Sequence, residues 1–232
     1  WDFAVYGLVL AIFTFLINSR LPGIKGLIKT FVNGLLVIVF WYLFSYPFSL
    51  KFTPMMEGIM ISDGHSPFYQ LFVLYGGFWL ICLPFVFKMF FSLFKNQSKK
   101  INYSHWFIFS LILTATLLVI IPEVIYIKDI YIYEHRRANT MFKLVYQAFI
   151  LYSLASGYIL VKASELFKPI FRNFYKILFA LIFVIHLFYP YFAIKSYYSD
   201  LTDYQGLDGL KYLEKLYPDN YQAILWINKN IS

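Results

Sequence analysis

The residues best suited to chemistry lie together in one polar segment, residues 122–143 (PEVIYIKDIYIYEHRRANTMFK), between apolar runs at 107–121 and 144–161. Polar groups gathered at the end of a membrane bundle mark pathways and binding sites. The segment is therefore the candidate functional site. Its ionisable and hydrogen-bonding side chains include Glu123, Asp129, Glu134, Arg136, Arg137, Asn139, Thr140 and Lys143.

The basic half of this segment has the composition of an anion-binding site. A helix that begins near residue 134 would place Arg136, Thr140 and Lys143 on one face, with Asn139 beside Lys143. Arginine donates two parallel hydrogen bonds to phosphate through its planar guanidinium, and a helix N-terminus adds free N–H groups and a favourable dipole. We expect a lipid-linked phosphate or diphosphate to bind here. The predicted phosphate-binding residues are Arg136, Arg137, Asn139, Thr140 and Lys143.

A purely structural interpretation of the same residues stays open. Basic side chains at the end of a span often reach to lipid headgroups, and the acidic residues Glu123 and Asp129 could simply pair with the two arginines. Glu123 differs because it lies about 6 Å inside the predicted span, at 1.5 Å per residue. A carboxylate at that depth is costly unless it faces the bundle. Glu123 is therefore a candidate for lining a cavity.

The elements that position this segment are those of a membrane protein, since the chain is 60% hydrophobic and only 14% charged. Apolar stretches of about 20 residues, enough to cross the hydrocarbon core, recur along it and predict an all-α, polytopic transmembrane bundle of about six spans. The count becomes five or seven if residues 47–67 re-enter the membrane or the first span is incomplete. The predicted spans are residues 3–17, 27–46, 68–87, 106–127, 144–161 and 174–194.

The distribution of charge predicts the orientation of the bundle. The loops after spans one, three and five, with their flanks, hold eleven basic residues and one acidic residue, a charge of +10. The other nine basic and eleven acidic residues give −2, and the two values return the net charge of +8. Because cytoplasmic loops carry the basic excess, we place the loops after spans two, four and six on the outer side of a cell membrane. The same pattern argues against nucleic acid as a partner.

The last residues, 195–232, change character and predict an outer-side helical segment that leads into an extramembrane domain. Leucines at 207, 210, 213 and 216 keep helical spacing, and Pro218 follows them as a helix breaker that begins a second helix. The chain starts at Trp1, inside an apolar run. We therefore expect it to be an internal or C-terminal piece of a longer protein.

Other residues carry weaker signals. His65, His105, His135 and His186 are scattered without ligand spacing, so no metal site is predicted from them. Glu57 and Asp63 could form a second acidic site, although solvated loop charges are the more common case. The single cysteine, Cys82, lies in an apolar run and excludes an internal disulfide.

Several of these residues also resemble a known family. The run from Arg137 to Lys143, RANTMFK, preceded by Glu123 and Asp129 and followed by Tyr146-Gln147, resembles the central motif of the "YYY" membrane-protein family of archaea and Chloroflexi, a domain of unknown function. Trp1-Asp2-Phe3 resembles its W-D-[FY] segment. Ala138 stands where the family often has Met, and Ala4 replaces a proline.

In overall character that family is similar to GT-C-type glycosyltransferases, which take sugars from polyprenyl-phosphate donors. The resemblance implies that this chain is the C-terminal membrane part of such an enzyme and supplies the phosphate cradle. It also implies that the catalytic aspartate lies upstream; within this chain Asp2 and Glu123 are the candidate carboxylates. Glu123 and Asp129 would support the basic groups or help to hold a divalent cation as a cofactor. Alternative hypotheses are a transporter or flippase for a lipid-linked or anionic substrate, and a noncatalytic scaffold. The oligomeric state stays open.

Overall fold

The computed structural model describes residues 2–19, 24–53, 58–94, 102–128, 135–198, 202 and 210–231. Helices dominate these residues, and two short strands accompany them. The elements are α1 (Asp2–Asn18), α2 (Lys25–Ser49), β1 (Ile59–Ile61), α3 (Phe68–Phe94), α4 (Tyr103–Val124), β2 (Ile125–Ile127), α5 (Ala138–Val161), α6 (Ala163–Leu166), α7 (Pro169–Tyr197), α8 (Lys211–Leu216) and α9 (Pro218–Asn230).

The prediction of an all-α, multi-pass membrane bundle is confirmed. Among the described residues, five helices are long and apolar enough to cross a membrane, namely α2, α3, α4, α5 and α7. The first predicted span corresponds to a shorter apolar helix, Ala4–Asn18. α2 exposes large apolar side chains along its length, among them Trp41 and Phe44. Such a surface suits contact with lipid rather than with water.

The chain divides into two compact units, residues 1–179 and 180–232. In the first unit, α4 contacts α1, α3 and α5. Small residues line these contacts: Ser110, Thr114 and Ala115 of α4 are fully buried, as are Ala148 and Ala155 of α5. Small side chains let helix backbones approach closely, which favours association in lipid, where apolar contact alone brings little gain.

In the second unit, α8 and α9 contact each other. α9 begins with Pro218 in its first turn, where the missing N–H costs no intrahelical bond and the fixed φ suits a helix. The break at Pro218 follows the sequence prediction. Leu207 of the predicted preceding helix lies outside the described residues, and the described helix begins at Lys211. The boundary predicted at residues 194–195 stays a prediction.

Several helix ends differ from the predicted spans, and two of the differences have a clear cause. α4 ends at Val124 rather than at residue 127, because Ile125–Ile127 forms a strand that pairs with Ile59–Ile61. β-branched and aromatic residues favour such extended pairing. α2 continues through Pro47 to Ser49, since a proline in the last turn removes only one backbone hydrogen bond.

Candidate functional site

A small antiparallel sheet brings two connecting segments together at one end of the first unit. Ile59 pairs with Ile127, Met60 with Tyr126 and Ile61 with Ile125. The pairing is extended at one end by the bond from the Ser62 N–H to the Val124 carbonyl, 2.9 Å. The sheet therefore places the segment between α2 and α3 beside the end of α4.

The opposite end of the sheet depends on a glycine. The Lys128 N–H donates to the Gly58 carbonyl at 2.9 Å, and Gly58 has φ +113°. Residues with a side chain rarely adopt that conformation. Gly58 thus permits the chain to turn into β1 while its carbonyl still pairs with β2.

Glu123 lies in the last turn of α4 and accepts hydrogen bonds on both carboxylate oxygens. Its Oε2 accepts from the Ser66 N–H at 2.7 Å and from Arg137 Nη1 at 2.6 Å. Its Oε1 accepts from the Ser66 hydroxyl at 2.8 Å. The carboxylate is thereby compensated by one full positive charge and two neutral donors, which is what a charge near the membrane requires.

Arg137 is held from more than one direction. Its Nη2 donates to Ser66 Oγ at 3.1 Å, in addition to the Nη1 bond to Glu123. The side chains of Arg137 and Glu123 are 23% and 14% exposed. His65 Nδ1 lies 2.8 Å from the main-chain carbonyl of Glu123. Three segments of the chain are therefore joined around one half-buried ion pair.

Arg136 makes a second ion pair beside the first, but in a different environment. Its Nη1 lies 3.2 Å from Asp63 Oδ2, and the two side chains are 49% and 75% exposed. Exposed pairs of this kind contribute little to stability. The Arg136 guanidinium is consequently the more accessible of the two for an outside anion.

Both arginines line one cavity of about 730 Å³. This volume falls in the range of small-molecule binding sites. Its lining combines two guanidiniums, an imidazole and one carboxylate, and so suits an anion with several acceptor oxygens. The lining residues are Ser62, Asp63, Gly64, Tyr126, His135, Arg136 and Arg137.

The predicted site residues thus fall into groups. Glu123 pairs with Arg137, and Arg136 lines the same cavity as Arg137. Thr140 is buried, and its hydroxyl accepts a bond from the Ile127 N–H at 3.0 Å, so it ties α5 to β2. Asn139 and Lys143 lie half-buried in the first turns of α5. Asp129 lies outside the described residues, as does the side chain of Asp2.

The proposed helical face was wrong in one respect. α5 begins at Ala138, not near residue 134, and Arg136 and Arg137 lie in the preceding turn. The Ala138 N–H donates to the His135 carbonyl within that turn. Arg136 therefore does not share a helical face with Thr140 and Lys143; its position is set by the loop and by Asp63.

Sequence reasoning missed the contribution of residues 62–66. The sequence predicts Asp63 only as a solvated charge or part of a second acidic site, His65 only as an isolated histidine, and nothing for Ser66, yet each bonds to the segment around Glu123 or to Arg136. The available signal was the charge count, which places this loop on the same side as the polar segment. β1 and β2 are each only three residues long. An alternation of apolar and polar residues over so short a stretch cannot be distinguished from the sequence of a loop.

Within the part of the chain that the structure describes, no group of three or more histidine, cysteine, aspartate or glutamate side chains could hold a metal ion. Because Asp129 is outside that part, the cation interpretation of Glu123 and Asp129 stays a prediction. Glu123 already accepts bonds on both oxygens.

Comparison with known proteins identifies a family that covers most of the first unit, including the candidate site. A family model described as an uncharacterized membrane protein (DUF2298) matches residues 1–106 and 89–152. The matched residues include the polar segment and the loop that bonds to it. Searches of curated proteins and of solved structures returned no match. The similarity to glycosyltransferases stays a prediction.

Proposed function

The chain belongs to this family of uncharacterized membrane proteins, DUF2298, and we propose that it is the membrane part of a GT-C-like glycosyltransferase that uses a polyprenyl-phosphate-linked sugar at the outer face of a cell membrane. The observation that carries the proposal is the 730 Å³ cavity with Arg136 and Arg137 in its wall. The phosphate of the lipid-linked sugar would bind there.

The donors of the cavity suit a phosphate group. Arg136 is half exposed and can exchange the single bond to Asp63 for two parallel bonds to phosphate oxygens. Arg137 is oriented by Ser66 and Glu123 and keeps its charge close to the cavity. A pair of adjacent guanidiniums stabilises a phosphate dianion better than two lysines would, since their donors are fixed in plane.

The arginines would act on the leaving group of the transfer. The acceptor hydroxyl oxygen attacks the anomeric carbon, and the bond from that carbon to the phosphate oxygen breaks. The hydroxyl proton passes to a base, and the lipid phosphate leaves with the bonding electrons. Positive groups placed at the developing phosphate charge lower the barrier to this step. Glu123 serves as a positioning residue for Arg137, because both of its oxygens are already occupied.

Two observations taken together support the outer location. The segments after α2 and α4 meet at one end of the unit through the β1–β2 pairing. The charge count assigns both of these segments to the less basic side. Lipid-linked sugars flipped to that side would reach the cavity from the membrane surface.

A sugar-transfer assay on the protein reconstituted in liposomes tests the proposal. We expect Arg136→Gln to lower the rate of lipid phosphate release by about tenfold or more, the equivalent of one charge-assisted hydrogen bond. Lys51→Gln is the matched control: it removes one positive charge from the other connecting segment, between α2 and α3, at a position that does not line the cavity. Arg136→Lys should recover only part of the rate, because lysine keeps the charge but not the planar fork.

The same liposomes separate the alternatives. A wild-type protein that moves lipid-linked sugar across the bilayer without transferring it would be a flippase, and the glycosyltransferase proposal would fail. Transfer at the wild-type rate by Arg136→Gln and Arg137→Gln, with each variant shown to be folded, would remove the cavity from the mechanism.

A further inference from the structure

A second cavity, of about 300 Å³, lies among α3, α4 and α5, and we call it the inner chamber. The atoms that line it are apolar. The hydroxyls of Thr116 and Tyr152 in its wall are hydrogen-bonded to each other, since Thr116 Oγ1 and Tyr152 Oη lie 2.9 Å apart. The lining residues are Leu71, Trp79, Thr116, Val119, Ile120, Glu123 and Tyr152.

One ion pair joins the lining of the inner chamber to the lining of the larger cavity. Glu123 lines the inner chamber, Arg137 lines the larger cavity, and the two are joined at 2.6 Å. The aliphatic part of Glu123 faces the chamber, because its oxygens are engaged by Ser66 and Arg137. A polar, basic cavity and an apolar chamber are therefore adjacent, with a single guanidinium at the junction.

This juxtaposition matches an amphiphile. An anionic head satisfies the arginines, whereas a hydrocarbon chain suits a chamber that offers no free polar group at its surface. A dry cavity of about 150 Å³ accepts one benzene ring, so 300 Å³ has room for about a dozen carbon atoms. That is enough for one chain and too little for the two acyl chains of a phospholipid.

We propose that the inner chamber binds the first carbons of a single-chain lipid whose phosphate occupies the arginine cavity. The inference rests on the proposed function for the phosphate half and adds the binding site for the hydrocarbon half. It also gives Glu123 a second role. Its carboxylate stays bonded to Arg137 and Ser66 beside the phosphate, while its aliphatic part forms part of the chamber wall against the hydrocarbon chain.

Photocrosslinking in phosphatidylcholine nanodiscs tests the chamber directly. The probe is dodecyl phosphate that carries a diazirine near the middle of its chain, and the labelled peptides are identified by mass spectrometry. We expect labels on α3 between Leu71 and Trp79 and on α4 between Thr116 and Glu123. Excess unlabelled dodecyl phosphate should compete for these positions.

A pair of variants on α4 supplies the control. Ile120→Trp fills the chamber from a position that is half exposed, so the protein tolerates the larger side chain, and chamber labelling should fall about tenfold. Leu117→Trp adds the same side chain at a comparably exposed position on α4 that does not line the chamber, and it should leave labelling unchanged. Glu123→Gln should lower labelling, because Arg137 then lacks the carboxylate that positions it.

The outcomes distinguish this inference from the proposed function. Arg136→Gln could weaken binding of the probe while labels appear only on exposed faces such as that of α2. This result would refute hydrocarbon binding in the inner chamber and support phosphate binding at the arginines. The corresponding diazirine alcohol could instead label the chamber as strongly as the phosphate does, with no effect of Arg136→Gln. This result would support hydrocarbon binding in the chamber and refute phosphate binding at the arginines. Equal labelling of Ile120→Trp and wild type also refutes the chamber.

Discussion

Two arginine–carboxylate pairs lie side by side in this site and should differ sharply in strength. Glu123–Arg137 is half-buried and shares its carboxylate with Ser66, whereas Arg136–Asp63 is largely exposed and rests on one bond of 3.2 Å. The perturbation is a pair of double-mutant cycles. One combines Glu123→Gln with Arg137→Gln, and the other combines Asp63→Asn with Arg136→Gln.

The magnitudes follow from the burial and the hydrogen bonds of each pair. A hydrogen bond to a charged group contributes about 1.5–3 kcal/mol, and removing one partner of a fully buried pair costs about 3–5 kcal/mol. With 23% and 14% exposure, we expect a coupling energy of about 2–3 kcal/mol for Glu123–Arg137. Exposed pairs give about 0–1 kcal/mol, and Arg136–Asp63 should fall in that range.

The assay is equilibrium unfolding of the purified protein in mixed micelles, followed by circular dichroism. Each single variant at Glu123 or Arg137 should also lower the unfolding midpoint by about 5–10 °C, the scale expected for a chain of this length. Charge is removed by the same kind of substitution in both cycles, so the exposed pair controls for a general effect of charge. Equal coupling energies in the two cycles would refute the account of Glu123 as the holder of Arg137.

Three further predictions concern the backbone and the packing of the first unit. Gly58→Ala should lower the free energy of unfolding by about 1–2 kcal/mol, because alanine is strained at a φ of +113°. Gly64→Ala, with open space around the added methyl group, should have a smaller effect. Equal effects of the two substitutions would show that the backbone of Gly58 is not strained by a side chain. Thr140→Val should cost about 1–2 kcal/mol, since the Ile127 N–H loses its acceptor, and native-state hydrogen exchange at that amide should accelerate. Tyr175→Phe should cost about 1 kcal/mol through the lost 2.9 Å bond to a main-chain carbonyl of α3, and an unchanged unfolding midpoint would argue that this bond does not form.

Much of the fold could be predicted because membrane helices carry their signal in long apolar runs. A span needs about 20 apolar residues, and such runs are hard to miss. The ends of the helices were harder. Pro47 does not stop α2, and Ile125–Ile127 leaves α4 to form a strand, because the outcome there depends on Ile59–Ile61, far away in sequence.

Only the part of the site that lies within the polar segment, residues 122–143, could be predicted from the sequence. Glu123 and Arg137 belong to one polar segment, and their pairing was one of the expected interpretations. The bonds from Ser66 and the pairing of Asp63 with Arg136 depend on the register of two three-residue strands. No local pattern specifies that register, so the partner loop was found only in three dimensions.

The central claim is that a lipid phosphate binds the adjacent arginines. The most direct measurement is the ³¹P–¹⁵N distance by solid-state NMR, with dodecyl phosphate and guanidinium-labelled protein in bilayers. Arg20→Lys and Arg172→Lys remove the other two arginines of the chain, so that only Arg136 and Arg137 report. The account predicts a phosphorus–nitrogen distance of about 4 Å, that of a guanidinium hydrogen-bonded to phosphate. Absence of dipolar coupling at saturating dodecyl phosphate would contradict it.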